Sequence, residues 1–231
     1  MTTTKIATLK FEESLTLAEL RCLRGAVMDL AGRECTPFHN HLEGGRLSYG
    51  YPLVQYKTIN GHAAVVGIAD AADVVMRIAS EFPRPLAIGS KVKAFHVDSC
   101  SIEDYTPIVE TRPKLYSVSN YIGLTDENFK RYHSMLALTD RIVLVENILV
   151  GNILSFLKRI DCHIDQQLFC AITEFSELRS KSYKRVKFDT FDLSFVSNIE
   201  LPSGIALGKS GSVGFGVVKR EPLPPQFENY T

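Results

Sequence analysis

The chain predicts an α+β fold built in two similar halves. Three observations carry this. The first hundred residues alternate strand, helix, hairpin, helix and strand; Asn60-Gly61 sits between two apolar runs as a hairpin turn would; and extended and helical stretches recur in a second round after residue 109. That order is the split βαβ, or ferredoxin-like, arrangement, with two helices on one face of an antiparallel sheet. The reading is therefore two tandem ferredoxin-like βαββαβ domains, 1–108 and 109–231, the second modified.

Residues 5–11 alternate polar and apolar, as a strand with one buried face does. A helix follows, capped by Thr16 with Glu19 closing a capping box; Leu17, Leu20, Leu23, Val27 and Leu30 recur at helical spacing, and Gly32 ends it. Residues 51–59 and 63–68 are the hairpin strands, 71–80 a short helix before Pro83, and 89–99 a strand. In the second half, 114–122 is extended and 126–159 helical in two pieces with a bend near 140. Strands are expected at 166–175, 183–200 and 213–219, and the crossover between halves near 100–112.

Bulk properties narrow the class. The charge balance is even, with 26 basic and 26 acidic residues, which counts mildly against a nucleic-acid binder, although a local basic stripe suffices for one. Cys22, Cys35, Cys100, Cys162 and Cys170 contain no Cys-x-x-Cys, so neither a disulfide framework nor a zinc site is expected. The N-terminus lacks an apolar signal core, and the greasiest stretch, 142–157, is broken by Glu146, Asn147 and Asn152. A cytoplasmic protein without membrane contact, metal or cofactor is expected.

Two features could carry chemistry. His39 and His41 stand one residue apart in Phe38-His39-Asn40-His41. An imidazole titrates near pH ~6.5, so one neutral and one protonated ring can move protons at both ends of a reacting bond without a metal. The bland alternative is a pair of solvated loop side chains. A metal reading has only Glu43 or Cys35 as a nearby third ligand. The second feature is the segment 201–218, with Gly204, Gly208, Gly211, Gly214 and Gly216. Its backbone amides could cradle phosphate, with Lys209, Ser210 and Ser212 adding donors. No helix follows it, so neither the dinucleotide fingerprint nor the P-loop fits, and a glycine-bent hairpin without a ligand is the other reading.

The glycine segment resembles the C-terminal motif of the CRISPR-associated RNA-binding superfamily called repeat-associated mysterious proteins. Phe38-His39-Asn40-His41 followed by Tyr51-Pro52-Leu53-Val54-Gln55-Tyr56-Lys57 is similar to one branch, the endoribonucleases that cut precursor CRISPR RNA within its repeat. Tyr121-Ile122-Gly123-Leu124 before Glu127-Asn128-Phe129, and Gly151-Asn152-Ile153-Leu154-Ser155-Phe156-Leu157-Lys158, look like that branch too. Ala206 and Gly211 depart from its usual glycine block. The resemblance implies tandem ferredoxin-like domains, repeat RNA as partner and metal-independent cleavage. It carries the branch's histidines onto His39 and His41, and its glycine loop onto Gly208 through Gly216.

Metal-free cutting uses the RNA's own 2′-hydroxyl. A base takes its proton, an acid gives a proton to the departing 5′-oxygen, and the products carry a 2′,3′-cyclic phosphate and a 5′-hydroxyl. His39 and His41 are assigned to the proton transfers, with Tyr49 and Lys57 in support. For RNA grip, Lys181, Tyr183, Lys184, Arg185 and Lys187 form the densest basic run, with Arg179 just upstream and Lys158 and Arg159 closing the long helix. Such a run also protects a strand edge against aggregation, and that reading competes. Two other functions remain open: a non-catalytic RNA-binding subunit working with other CRISPR-associated proteins, and a ferredoxin-like structural or oligomerisation protein. The apolar helix around 142–157 would serve a homodimer as well as a core.

Overall fold

The computed structural model describes residues 2–32, 50–176, 178–183 and 186–224, the side chains of 181–183, 186 and 187 excepted. The chain divides into two units, one formed by Thr2–Thr106 with Gly211–Gly214, the other by Pro107–Ser210 and the stretch from Phe215 onward.

The first unit runs β1 (Thr4–Phe11), α1 (Leu20–Ala31), β2 (Val54–Ile59), β3 (His62–Ile68), α2 (Asp70–Ala79), β4 (Arg84–Ile88), β5 (Lys91–Phe95) and β6 (Val97–Tyr105). Its sheet has the order β2-β3-β1-β6 with every neighbour antiparallel, the ferredoxin-like order. Strand periodicity fixes its faces. Ala7, Leu9 and Phe11 of β1, Val54 and Tyr56 of β2, and Ala63 and Val65 of β3 enter one core with Leu20, Leu23 and Val27 of α1 and Ala71, Val75 and Ile78 of α2. Asn60 and Gly61 take φ of 51° and 84°, as a type I′ turn requires.

The capping box forms as expected. The Thr16 backbone N–H donates to Glu19 Oε2 at 2.9 Å, and the Glu19 N–H donates back to Thr16 Oγ1 at 3.4 Å. Lys93 of β5 adds an ion pair to Glu19 Oε1 at 2.7 Å. These partners, Lys93 foremost, lower the Glu19 pKa from 4.5 to about 2. The strand expected over 89–99 is divided: Lys91–Phe95 is β5, paired with a β4 the alternation did not foretell, and β6 runs from Val97 to Tyr105 into the stretch expected as the crossover. Pro85 and the charged Lys91 and Lys93 blur the hairpin's pattern, yet Leu86, Ile88 and Phe95 complete the core.

The second unit runs β7 (Val109–Tyr121), α3 (Asp126–Ser134), α4 (Leu138–Arg159), β8 (Cys170–Phe175), β9 (Arg179–Tyr183), β10 (Val186–Ile199) and β11 (Val217–Glu221). Its sheet order, β11-β7-β10-β8 with β9 paired to β10, repeats the first unit's logic. The helical stretch breaks after Ser134 rather than near 140, and the extended 183–200 region is a long strand fed by a separate β9. Where a second helix would connect β10 to β11, residues 200–216 run instead without helix, because glycines and Pro202 oppose one. Tyr116, Phe191, Phe195 and Val118 of the sheet and Leu149, Ile153 and Phe156 of α4 are fully buried or nearly so. Among the described residues, no helix is long and apolar enough to cross a membrane.

Candidate functional site

His39, His41 and Tyr49 fall in 33–49, between the end of α1 and β2, and lie outside the described residues, as do Lys184 and Arg185. The strand that follows is well defined. On β2, Tyr56 points into the core and Gln55 and Lys57 point to the opposite face, both at 0% exposure. The Lys57 ammonium donates to Gln55 Oε1 at 2.6 Å, and full burial disfavours its charged form, holding its pKa well below the usual lysine range. Lys57, offered by the sequence in support of the proton transfers, is therefore a buried strand lysine. Alternation of Gln55 and Lys57 with Val54 and Tyr56 reads as a solvated polar face, so the sequence carried no signal for this buried pair.

The glycine segment is divided between the units, Gly211–Gly214 belonging to the first and its flanks to the second. The Tyr56 N–H donates to the Ser212 carbonyl at 3.0 Å, and Tyr56 forms a parallel bridge with Val213, so Gly211–Gly214 extends the first unit's sheet beyond β2. On the second unit's side, a Cβ on Gly208 would lie 2.7 Å from the Ile122 carbonyl oxygen, against the Tyr121 ring. One on Gly216 would lie 1.8 Å from the Leu207 carbonyl oxygen. Asn152 of α4 donates to the Tyr121 hydroxyl, which holds the ring that Gly208 packs on. Burial raises the Tyr121 pKa, so the hydroxyl stays protonated. The role of Asn152 had no signal beyond its place in a helix motif.

Several amides of this segment are already engaged. The N–H groups of Gly204, Leu207, Lys209 and Gly216 donate to the carbonyls of Val218, Gly216, Ile122 and Asn120. These four serve the fold rather than an anion. The Lys209 side chain is exposed, Ser210 is half-buried with φ of 58°, and Ser212 is half-buried.

The cationic residues are dispersed. Lys158 and Arg159 are exposed at the end of α4, and Arg179 pairs with Asp192 at 3.1 Å. Lys181, Tyr183 and Lys187 belong to the β9–β10 hairpin, with Lys181 in register with Phe188 and Lys187 with Ser182. The remaining histidines have local partners. His62 Nδ1 contacts the Glu12 carbonyl, His96 Nδ1 contacts Glu13, the His133 ring lies against Phe129, and His163 pairs with Asp165. Glu12, Glu13 and His96 bring ligand atoms within 4.8 Å of one another, but Glu13 is already engaged by the His96 N–H and ring.

Two ferredoxin-like units in one chain, with a glycine-rich strand-like segment in place of the last helix, define the class as a tandem ferredoxin-like protein. The sequence narrows it further. The Cas6b N-terminal domain model matches residues 2–106 and the Cas6b C-terminal domain model residues 108–221, so the chain belongs to the Cas6b family. An uncharacterized protein of Methanocaldococcus jannaschii is 34% identical over 113 residues, spanning 49% of this chain and 76% of that protein. A crystal structure of Cas6b superposes with a TM-score of 0.81 at 20% identity, covering 95% of this chain and 100% of that one. A second structure, of the CRISPR RNA processing endoribonuclease Cas6b, gives 0.72 at 18% identity, covering 95% and 100%. At these identities the two structures speak for the fold.

Proposed function

We propose that this protein is a metal-independent endoribonuclease that cuts precursor CRISPR RNA within its repeat. The observation that supports it most is the match of both halves to Cas6b domains, with His39 and His41 inside the N-terminal match. One imidazole takes the proton of the 2′-hydroxyl; the other, protonated, gives one to the departing 5′-oxygen. In-line attack leaves a 2′,3′-cyclic phosphate and a 5′-hydroxyl. Each proton-transfer group contributes about 10²–10⁴-fold. Tyr49 is a positioning residue in this reading, and charge on the phosphate comes from RNA-binding residues rather than from the buried Lys57.

The RNA is held by Lys158 and Arg159, by the run from Arg179 through Lys187, and by the segment from Gly208 to Gly216. The test is incubation of the purified chain with end-labelled repeat RNA in EDTA, followed by a denaturing gel. Discrete cutting by the parent, lost in His39→Ala and His41→Ala with binding retained, is the expected result. A gel shift without cutting by the parent would leave a non-catalytic RNA-binding protein, and full activity in the double variant would reject the histidine assignment.

A further inference from the structure

We propose that a cleft in the second unit holds one unpaired nucleobase of the RNA, guanine in preference to uracil. This rests on the reading of the chain as a repeat-RNA binder and adds to it a recognition site away from the histidine segment. The cleft is about 340 Å³, at the small end of the ~300–1,000 Å³ range of ligand pockets. Its floor is apolar, Ile122 and Leu124. Two aromatic side chains, Phe129 of α3 and Phe188 of β10, line it and are each only half-buried. Two cations, Lys130 and Lys209, and two carboxylates, Asp126 and Asp189, complete the lining. None of these four charged groups has an ion-pair partner among the described residues.

That combination selects a ligand chemistry. A bare phosphate would be attracted by the lysines but repelled by the carboxylates. An apolar ligand would leave all four charges without use. A nucleotide satisfies the set: its flat base lies against the aromatic rings, its phosphate meets an ammonium, and its donor edge faces a carboxylate. Guanine offers N1–H and an exocyclic amine side by side, a two-point match to a carboxylate; uracil offers a single N–H set between two carbonyl oxygens, which a carboxylate repels.

Position supports the assignment. Lys209 belongs to the glycine segment and is fixed to the floor by its backbone N–H, which donates to the Ile122 carbonyl at 2.9 Å. Phe188 and Asp189 pair in register with Lys181 and Ser180 of the basic run. The glycine segment thus lines the cleft, and the strand that carries the end of the basic run adjoins it. Thr125 caps α3 there, its Oγ1 accepting the Asn128 N–H at 3.1 Å, which keeps the aromatic wall of the helix in place.

The test is abasic scanning of the repeat RNA against the full chain, read by fluorescence anisotropy at fixed salt. For the parent, one unpaired position should lose about 5- to 100-fold in affinity when its base is removed, the range of base–aromatic stacking. In Phe129→Ala that position should lose no more than its neighbours do, whereas Phe129→Trp should keep the full effect. Restoring guanine should bind more tightly than uracil, and Asp126→Asn with Asp189→Asn should level the two. Lys209→Glu, an exposed change that spares the core, should weaken binding as well. If the parent binds repeat RNA but the abasic profile is the same in Phe129→Ala, the cleft proposal falls alone. If the parent binds no repeat RNA, the RNA reading falls and takes the cleft with it.

Discussion

Gly216→Ala is the sharpest test of how the glycine segment is built. Gly216 has φ of 64°, and an added Cβ would sit 1.8 Å from the Leu207 carbonyl oxygen, where contacts below 3.0 Å are essentially never found. The left-handed conformation alone costs a non-glycine residue about 1–2 kcal/mol. Relief of the clash must move backbone, because the Leu207 N–H is bonded to the Gly216 carbonyl at 2.8 Å and Ala206 bridges Val217 beside it. Losing one or two such bonds adds about 1–1.5 kcal/mol each. The sum is about 2–5 kcal/mol, a large part of a domain's ~5–15 kcal/mol. Urea unfolding followed by far-UV circular dichroism would report it as a midpoint lowered by roughly 1 M or more. Gly151→Ala is the control: it lies mid-way along α4 with nothing within 4 Å of a new Cβ, and should stabilise by about 0.5–1 kcal/mol. A Gly216→Ala protein as stable as its parent would refute the reasoning.

Other perturbations separate further parts of the account. Glu19 has a depressed folded-state pKa, about 2 against 4.5, so its stabilisation is complete above 4.5 and fades as pH falls toward 2. Glu19→Gln should therefore lower the unfolding free energy slightly at pH 7, by less than ~1 kcal/mol for a half-buried surface pair, and not at all near pH 2. Asn152→Leu should cost about 1–3 kcal/mol by leaving the buried Tyr121 hydroxyl without its donor, and Tyr121→Phe in the same chain should recover most of it in thermal unfolding. Lys57→Met should cost about 1–3 kcal/mol by leaving the buried Gln55 Oε1 without its donor, and should leave the salt slope of RNA binding unaltered because the side chain is interior. Lys181→Gln with Lys187→Gln should reduce that slope by about 0.7–0.9 per phosphate contact removed.

Much of the architecture was legible because periodicity and punctuation agree with it. The Thr16–Glu19 box, the Asn60-Gly61 turn and the apolar helix positions Leu20, Leu23 and Val27 each announce their element, and all three are present. β4 and its pairing with β5 were not legible, since Pro85 breaks the alternation while Leu86 and Ile88 carry the burial, although β5 itself lies within the strand expected over 89–99. The glycine segment showed its composition but not its division of labour. Gly208 and Gly216 meet backbone carbonyls of the second unit, and Ser212 and Val213 extend the sheet of the first, contacts between residues far apart in sequence. Lys57 reads as a surface charge in sequence because lysines are seldom interior. Phe129 and Phe188 lie fifty-nine residues apart, so no spacing could pair them. The histidine pair stood out by its own chemistry and by the motif around it.

The most direct measurement of the central claim replaces one atom of the substrate. Repeat RNA carrying a single 2′-deoxy nucleotide immediately upstream of the cut should bind the protein with unchanged affinity and stay whole in EDTA. The all-ribose RNA should be cut to a 2′,3′-cyclic phosphate and a 5′-hydroxyl, resolved by mass spectrometry. Cleavage of the deoxy substrate at the same bond, or a 5′-phosphate product, would contradict attack by the 2′-hydroxyl and with it the roles given to His39 and His41.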